Sequence, residues 1–185
     1  MKDTNSRLQK AIFFDRDGVI NSLLTRDDDR ITSPWNINEF KFLPGVFEAV
    51  NIVQTMGYAT FIVTNQPAIE DGNMTHEQLN EIHDMLSNWL SFDDIMYAHE
   101  RNSDQYKPKN GMLENLIEKY GIDREKSYII GDRWQDIVPG HLSGINTIYV
   151  GKNEDYTPPE EYKEIKPNYY SKDILDACLL IVEKR

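Results

Sequence analysis

The chain has a single cysteine, Cys178, in 185 residues. It can build no internal disulfide framework, and its cysteine usage fits a reducing compartment, so a cytoplasmic protein is expected. Long apolar runs are missing too. The longest, ACLLIV near the C-terminus, falls far short of the roughly 20 residues a membrane helix requires. Positive charge is scarce: 20 Lys and Arg stand against 31 Asp and Glu, a formal net charge of −11. That balance argues against a nucleic-acid or anionic-membrane surface. The opening MKDTNSRLQK is polar, so no targeting peptide is expected. Internal repeats and low-complexity segments are also lacking. A chain of this length is expected to form one domain over residues 1–185, as a monomer or small homo-oligomer.

What is present is an alternation of two periodicities. AIFF (11–14) reads as a buried strand, and segment 45–56 sets Val46, Val50 and Val53 on one helical face before Gly57 ends it. YATFIV (58–63) is strand-like and runs into TNQ. Thr75 and Gln78 have capping-box spacing, opening a helix whose apolar stripe reads Leu79, Ile82, Leu86 and Trp89, with His76 and His83 at the surface. IMYA (95–98), SYII (127–130) and INTIYV (145–150) read as further strands. A helix over 111–120, closed by Gly121, precedes SYII, and Ser171 stands where it would cap a last helix carrying Ile174, Cys178 and Ile181. The order predicts an α/β fold, a parallel sheet with helices on both faces. The long irregular connection is 21–44, with an acidic tip at Asp27–Asp29 and with Trp35 as a lid candidate. Loops of that length inside a domain are usually functional or disordered.

In open α/β sheets, ligands bind beyond the carboxyl ends of the strands. Asp15 and Asp17 follow AIFF, Thr64 and Asn65 follow YATFIV, and Asp132 and Arg133 follow SYII, with Asp136 one helical turn on. Lys107 precedes a proline that cannot continue a strand. Taken singly, each has a plain structural explanation as a turn, helix-cap or solvated residue. As an ordered set they point to chemistry. Crowded carboxylates call for a hard cation with oxygen ligands, and Mg²⁺ beside a phosphate suits them. With Mg²⁺ and Lys107 screening its charge, a carboxylate can attack phosphorus. The second acid, two residues on, can hand a proton to the leaving oxygen, which is worth about 10²–10⁴-fold. Thr64 and Asn65 would hold the equatorial oxygens.

The series DRDGVIN, TNQ, KP and GDRWQD resembles the four motifs of the haloacid dehalogenase (HAD) superfamily of phosphotransferases. With FLPGV and KPKNGM added, it is most similar to the heptose bisphosphate phosphatase and histidinol-phosphatase branch, over about residues 10–150. The resemblance implies a Rossmann-like HAD hydrolase domain without a large cap domain, and Mg²⁺-dependent hydrolysis of a small phosphomonoester through a phosphoaspartyl intermediate. It implies Asp15 as nucleophile and Asp17 as acid/base. Asp15, the backbone of Asp17 and Asp132 would be the metal ligands, and Thr64, Asn65 and Lys107 the phosphoryl stabilisers.

The departures concern substrate and zinc. That branch usually carries a zinc loop of one histidine and three cysteines before the KP motif. Here MYAHERNSDQYKPKNGM offers His99 and no cysteine, so a structural zinc is not expected. Tyr106 stands where an arginine usually precedes the motif lysine, Pro67-Ala68 replaces the usual Ser-Gly, and Asp71 replaces another arginine. With two substrate-facing cations gone, the expectation is a sugar phosphate, with monophosphates processed at least as well as heptose 1,7-bisphosphate and Arg133 and Trp35 contacting the substrate. Histidinol phosphate, or a degenerate binding subunit, are the alternatives. A phosphoacceptor receiver is disfavoured because YATFIV ends in Thr-Asn rather than in an aspartate.

Overall fold

Four consecutive buried residues begin the sheet. In the computed structural model, which describes residues 8–184, β1 (Ala11–Phe14) has no exposed side chain. The stretch 1–7, which holds most of the segment expected to lack a targeting signal, lies outside the described residues. β1 is buried on both faces because it pairs in parallel with β4 (Ala59–Asn65) on one side and β6 (Tyr128–Gly131) on the other. β5 (Asp94–Ala98) extends the sheet beyond β4; β7 (Asn146–Val150) and β8 (Tyr169–Ser171) extend it beyond β6. The spatial order is β5-β4-β1-β6-β7-β8. The chain therefore builds outward from β1 in one direction and then reverses into the other. That reversal puts a crevice at the carboxyl end of β1, the usual ligand position in such sheets.

Alternation along the strands divides the core. Ile12, Phe14, Ile62, Ile130 and Ile148 pack with α1 (Val46–Thr55), α2 (His76–Leu90) and α5 (Ile174–Glu183). Ala11, Phe13, Phe61, Val63 and Ile129 point the other way, against α3 (Gly111–Tyr120). α4 (Trp134–Leu142) shares that second face, where a Cβ on Gly140 would come within 2.4 Å of the Ile129 side chain. The sheet is thus covered on both faces, in the expected α/β Rossmann-like arrangement. Among the described residues, no helix is long and apolar enough to cross a membrane.

Four local expectations need correction. Trp89 is 62% exposed, whereas His83 is buried together with Leu79, Ile82, Leu86 and Leu90. Trp89 falls at the margin of the buried arc of the helix, where it stacks on Phe42. Ser171 ends β8 instead of capping α5; the cap is Asp173, whose carboxylate accepts from the Asp176 backbone N–H at 2.8 Å. β8 itself, three residues long, is too short to show a period in sequence. The connection 21–44 is structured: β2 (Leu24–Thr25) and β3 (Ile31–Thr32) form an antiparallel hairpin with Asp27–Asp29 at its exposed tip, and a 3₁₀ turn follows at Ile37–Glu39.

Candidate active site

Asp15 prolongs the ladder by one bond, its N–H donating to the Ile130 carbonyl at 2.9 Å. Its carboxylate therefore stands at the mouth of β1, between β4 and β6. The chain then leaves strand geometry, with Gly18 at φ +97°. Glycine is required there twice over: the conformation is left-handed, and a Cβ would lie 2.1 Å from an Asp132 carboxylate oxygen. Gly131 makes a similar allowance, since its Cβ would lie 2.1 Å from that of Asp136.

These close approaches bring three acids together. Asp15, Asp132 and Asp136 each present an oxygen within 4.8 Å of the others. Lys107 supplies the cation among them, its Nζ donating to Asp15 Oδ1 at 2.7 Å, Asp136 Oδ1 at 2.6 Å and the Val63 carbonyl at 2.8 Å. All three ammonium protons are used. Lys107 lies in the connection between β5 and α3, not at a strand end. A reciprocal pair holds it: Asn65 Nδ2 donates to its carbonyl and its N–H donates to Asn65 Oδ1, both at 2.9 Å. The Asn65 amide, expected on a phosphoryl oxygen, is thus spent on fixing the lysine backbone.

One lysine among three acids leaves the charge unbalanced. Burial, then the neighbouring Asp15 and Asp136, push Asp132 up to about 8. Burial, with Asp136 and Asp17 adding to it, raises Asp15 against the pull of Lys107. Burial would lower Lys107, but Asp136 and Asp15 outweigh it and hold the lysine above its ordinary value. One oxygen of Asp132 is buried with no hydrogen-bond donor. A hard, oxygen-ligated divalent cation answers both the surplus charge and the orphaned oxygen, so the donor set fits Mg²⁺.

Asp17 is held by a different set. Its Oδ1 accepts from Arg16 Nη2 at 3.0 Å and Asn21 Nδ2 at 2.9 Å; its Oδ2 accepts from Gln66 Nε2 at 2.7 Å and lies 3.5 Å from the Thr64 hydroxyl. The Arg16 side chain is entirely buried. Its other terminal nitrogen lies 3.5 Å from His83 Nε2. Burial, reinforced by that guanidinium, pushes His83 down to about 3, so the imidazole is neutral. Asp17's carboxylate therefore stands apart from the acid cluster, which contains Asp136 instead. Sequence reasoning passed over Arg16, Asn21, Gln66 and His83. Arg16 and Asn21 lay inside the quoted motif DRDGVIN and Gln66 inside TNQ; His83 gave no signal beyond its place on the apolar arc.

Asp15, Asp17, Asn65, Lys107, Arg133 and Asp136 face one cavity of about 230 Å³. Its outer wall is made by Leu23, Ile31 and Trp35 from the hairpin segment and by Asp71 and Tyr106 from the connections after β4 and β5. Arg26 stacks 3.6 Å over the Trp35 ring and forms a two-bond pair with Glu39, both bonds 2.8 Å, so that face is braced from behind. Arg30 pairs with Asp28, and Arg101 pairs with Glu70 and Asp71. Arg133, at the N-terminus of α4, is exposed at the rim.

Comparison with known proteins agrees with this geometry. A family model described as HAD-hydrolase-like matches residues 106–177. A D-glycero-beta-D-manno-heptose-1,7-bisphosphate 7-phosphatase of Pasteurella multocida is 31% identical, over 94% of this chain and 97% of its own length. A heptose-1,7-bisphosphate 7-phosphatase of Chlorobaculum tepidum is 30% identical, over 91% of this chain and 92% of its own. A D,D-heptose 1,7-bisphosphate phosphatase from B. bronchiseptica, crystallised with magnesium and phosphate, superposes with a TM-score of 0.80 at 21% identity, covering 96% of this chain and 100% of that one.

Proposed function

The chain belongs to the heptose-1,7-bisphosphate 7-phosphatase family of HAD-type phosphoric monoester hydrolases, and from that premise we propose that it hydrolyses a small phosphorylated sugar through a phosphoaspartyl intermediate on Asp15. The observation that carries this reading is the Asp15 carboxylate at the mouth of β1, facing the cavity with Lys107 Nζ 2.7 Å from one oxygen. An Asp15 oxygen attacks phosphorus, the ester P–O bond breaks, and the leaving oxygen takes a proton from Asp17. Water then attacks the phosphorus of the aspartyl phosphate. Asp17 accepts the water's proton, and inorganic phosphate and Asp15 are released. Lys107 flanks the phosphoryl position, and Asn65 serves by holding it; Thr64, expected on a phosphoryl oxygen, is fully buried, its hydroxyl accepting from Gln66 Nε2 at 2.9 Å and lying 3.5 Å from Asp17 Oδ2.

Asp15, Asp132 and the backbone of Asp17 would hold Mg²⁺, with Asp136 alongside. The bound ion offsets the negative charge that the phosphoryl group and the attacking carboxylate share. Asp136 accepts from the Arg133 N–H at 3.1 Å as well as from Lys107, so its principal task is to fix the lysine. Zinc has no part in this reading, since the connection that includes His99 has no cysteine.

The leaving group should be a monophosphate at least as readily as heptose 1,7-bisphosphate. Charge-assisted bonds to a second phosphate come mainly from Arg and Lys. Here Arg30 and Arg101 are already paired with acids, which leaves Arg133 at the rim. The test is a phosphatase panel with Mg²⁺ covering sugar phosphates, heptose 1,7-bisphosphate and histidinol phosphate, on the wild type and Arg133→Ala. A bisphosphate preference of about 100-fold or more would show that a second phosphate site exists here. Beryllium fluoride trapping should label Asp15; a label on Asp17 or Asp132 would remove it as nucleophile.

A further inference from the structure

We propose that Arg16 is a positioning residue for the Asp17 carboxylate, and that His83 is the acceptor that fixes the Arg16 guanidinium. The proposal rests on the reading of Asp17 as the proton-transferring group. Asp17 lines the cavity and Arg16 does not, so Arg16 reaches the reaction only through its neighbour.

The geometry is specific. Arg16 Nη2 spans both oxygens of Asp17 at 3.0 and 3.1 Å, with Nε at 3.3 Å from the first. Asn21 and Gln66 complete the set, one on each oxygen. Held from two sides by donors on three residues, the carboxylate keeps one orientation. Two consecutive residues leaving a strand would ordinarily point apart; the planar guanidinium fork brings these two back together.

A buried guanidinium carries a heavy desolvation penalty and needs partners on every side. Asp17 is one partner. His83 is the other, reaching inward from α2, packed beside Tyr97 with ring centroids 5.6 Å apart and kept neutral by burial. A protonated imidazole there would repel Arg16; the neutral ring, with its proton on Nδ1, accepts from Nη1 through Nε2. An apolar residue at position 16 would fill the same space without the penalty. The arginine is therefore explained by what it does to Asp17 and not by packing.

Orientation matters because misplacing a reacting group by about 1 Å can cost about 10²-fold. The loss should depend on the leaving group. A sugar alkoxide needs the proton Asp17 delivers; p-nitrophenolate leaves without it. The experiment measures the single-turnover rate of leaving-group release, the step that precedes the water attack common to both substrates, on mannose 6-phosphate and p-nitrophenyl phosphate for Asp17→Asn, Arg16→Met, His83→Leu and His83→Gln. Asp17→Asn and Arg16→Met should each lower that rate about 100-fold on the sugar phosphate but about threefold or less on the aryl ester. His83→Leu should show the same skew at about tenfold, and His83→Gln, which keeps an acceptor, should bring the ratio back.

Equal losses on both substrates in Arg16→Met would overturn the positioning role. If that variant does not fold, the His83 pair decides: equal losses in His83→Leu, or no recovery in His83→Gln, overturn it. Skew at Asp17 without skew at Arg16 or His83 removes this inference alone. Absence of skew at Asp17 removes Asp17 as the acid for the leaving oxygen and this inference with it.

Discussion

The inner end of the cavity and its outer wall are made in different ways. At the inner end Asp15 prolongs the first strand of the central sheet, and behind it Thr64 lies at a second strand end and Asp132 directly follows a third strand. Their separations are set by backbone ladders and by glycines at 18 and 131 that admit carboxylates where a Cβ would clash. The outer wall comes from two-residue strands and connections: Leu23, Ile31, Trp35, Asp71, Tyr106. Ile31 is 65% exposed there. A sheet holds atoms to fractions of an ångström, whereas loops tolerate change. The reaction should accordingly be intolerant of substitution at one end, and the choice of substrate adjustable at the other.

The sharpest test of this contrast is Asp15→Asn. It should lower kcat by about 10⁴-fold or more and leave the melting temperature of the metal-free protein unchanged or raised, since it removes a buried acid. Gly18→Ala comes next. Its Cβ would displace the Asp132 carboxylate, so turnover should fall about 10²-fold, and Mg²⁺ affinity measured by calorimetry should fall with it. Retention of both would mean that Asp132 lies outside the metal site.

A third test uses pH. Asp132 and Asp15 are raised in the fold above their ordinary values, so the native protein binds more protons than the unfolded chain over that interval. The associated stability is fully present below pH about 4 and is lost as pH rises through about 8; raised Lys107 contributes evenly across this window. In calorimetry, the metal-free protein should melt about 5 °C lower at pH 8 than at pH 5, and Mg²⁺ should recover most at the higher pH. A metal-free melting point that climbs from pH 5 to 8 would contradict the acid cluster.

The smallest effects belong to the outer wall. Arg133→Ala and Trp35→Ala should each change kcat/KM by about tenfold or less and alter the ranking among sugar phosphates. Were either to cost more than Gly18→Ala, the division between the two ends would be wrong.

The same division explains what could be read from sequence. The strand-end positions of Asp15, Thr64 and Asp132 were legible because a buried strand ending in a polar residue is a local pattern. Lys107 was legible as the residue before a proline in the ordered set, but its position depends on Asn65, 42 residues away. The inward turn of Arg16 was hidden, because nothing local shows that an arginine between two aspartates turns away from the cavity. The hairpin was hidden for another reason: strands of two residues have no period to detect. His83 looked like a surface histidine because its partner, Arg16, is 67 residues distant.

The hairpin segment departs from the sheet and rejoins it through a narrow neck. Asn21 bridges to Phe42, the Ser22 N–H donates to the Lys41 carbonyl at 2.9 Å, and the Leu43 N–H donates to the Ile20 carbonyl at 2.9 Å. Between these points, 22–41 is a cassette whose two leads run side by side, so its content can be exchanged or lengthened while the sheet registers no strain. The lead is not mechanically neutral, however, because the Asn21 side chain also grips Asp17 Oδ1. A longer cassette that pressed down on a substrate would pull on the same residue proposed to move the proton, a crank joining cover to chemistry through one amide.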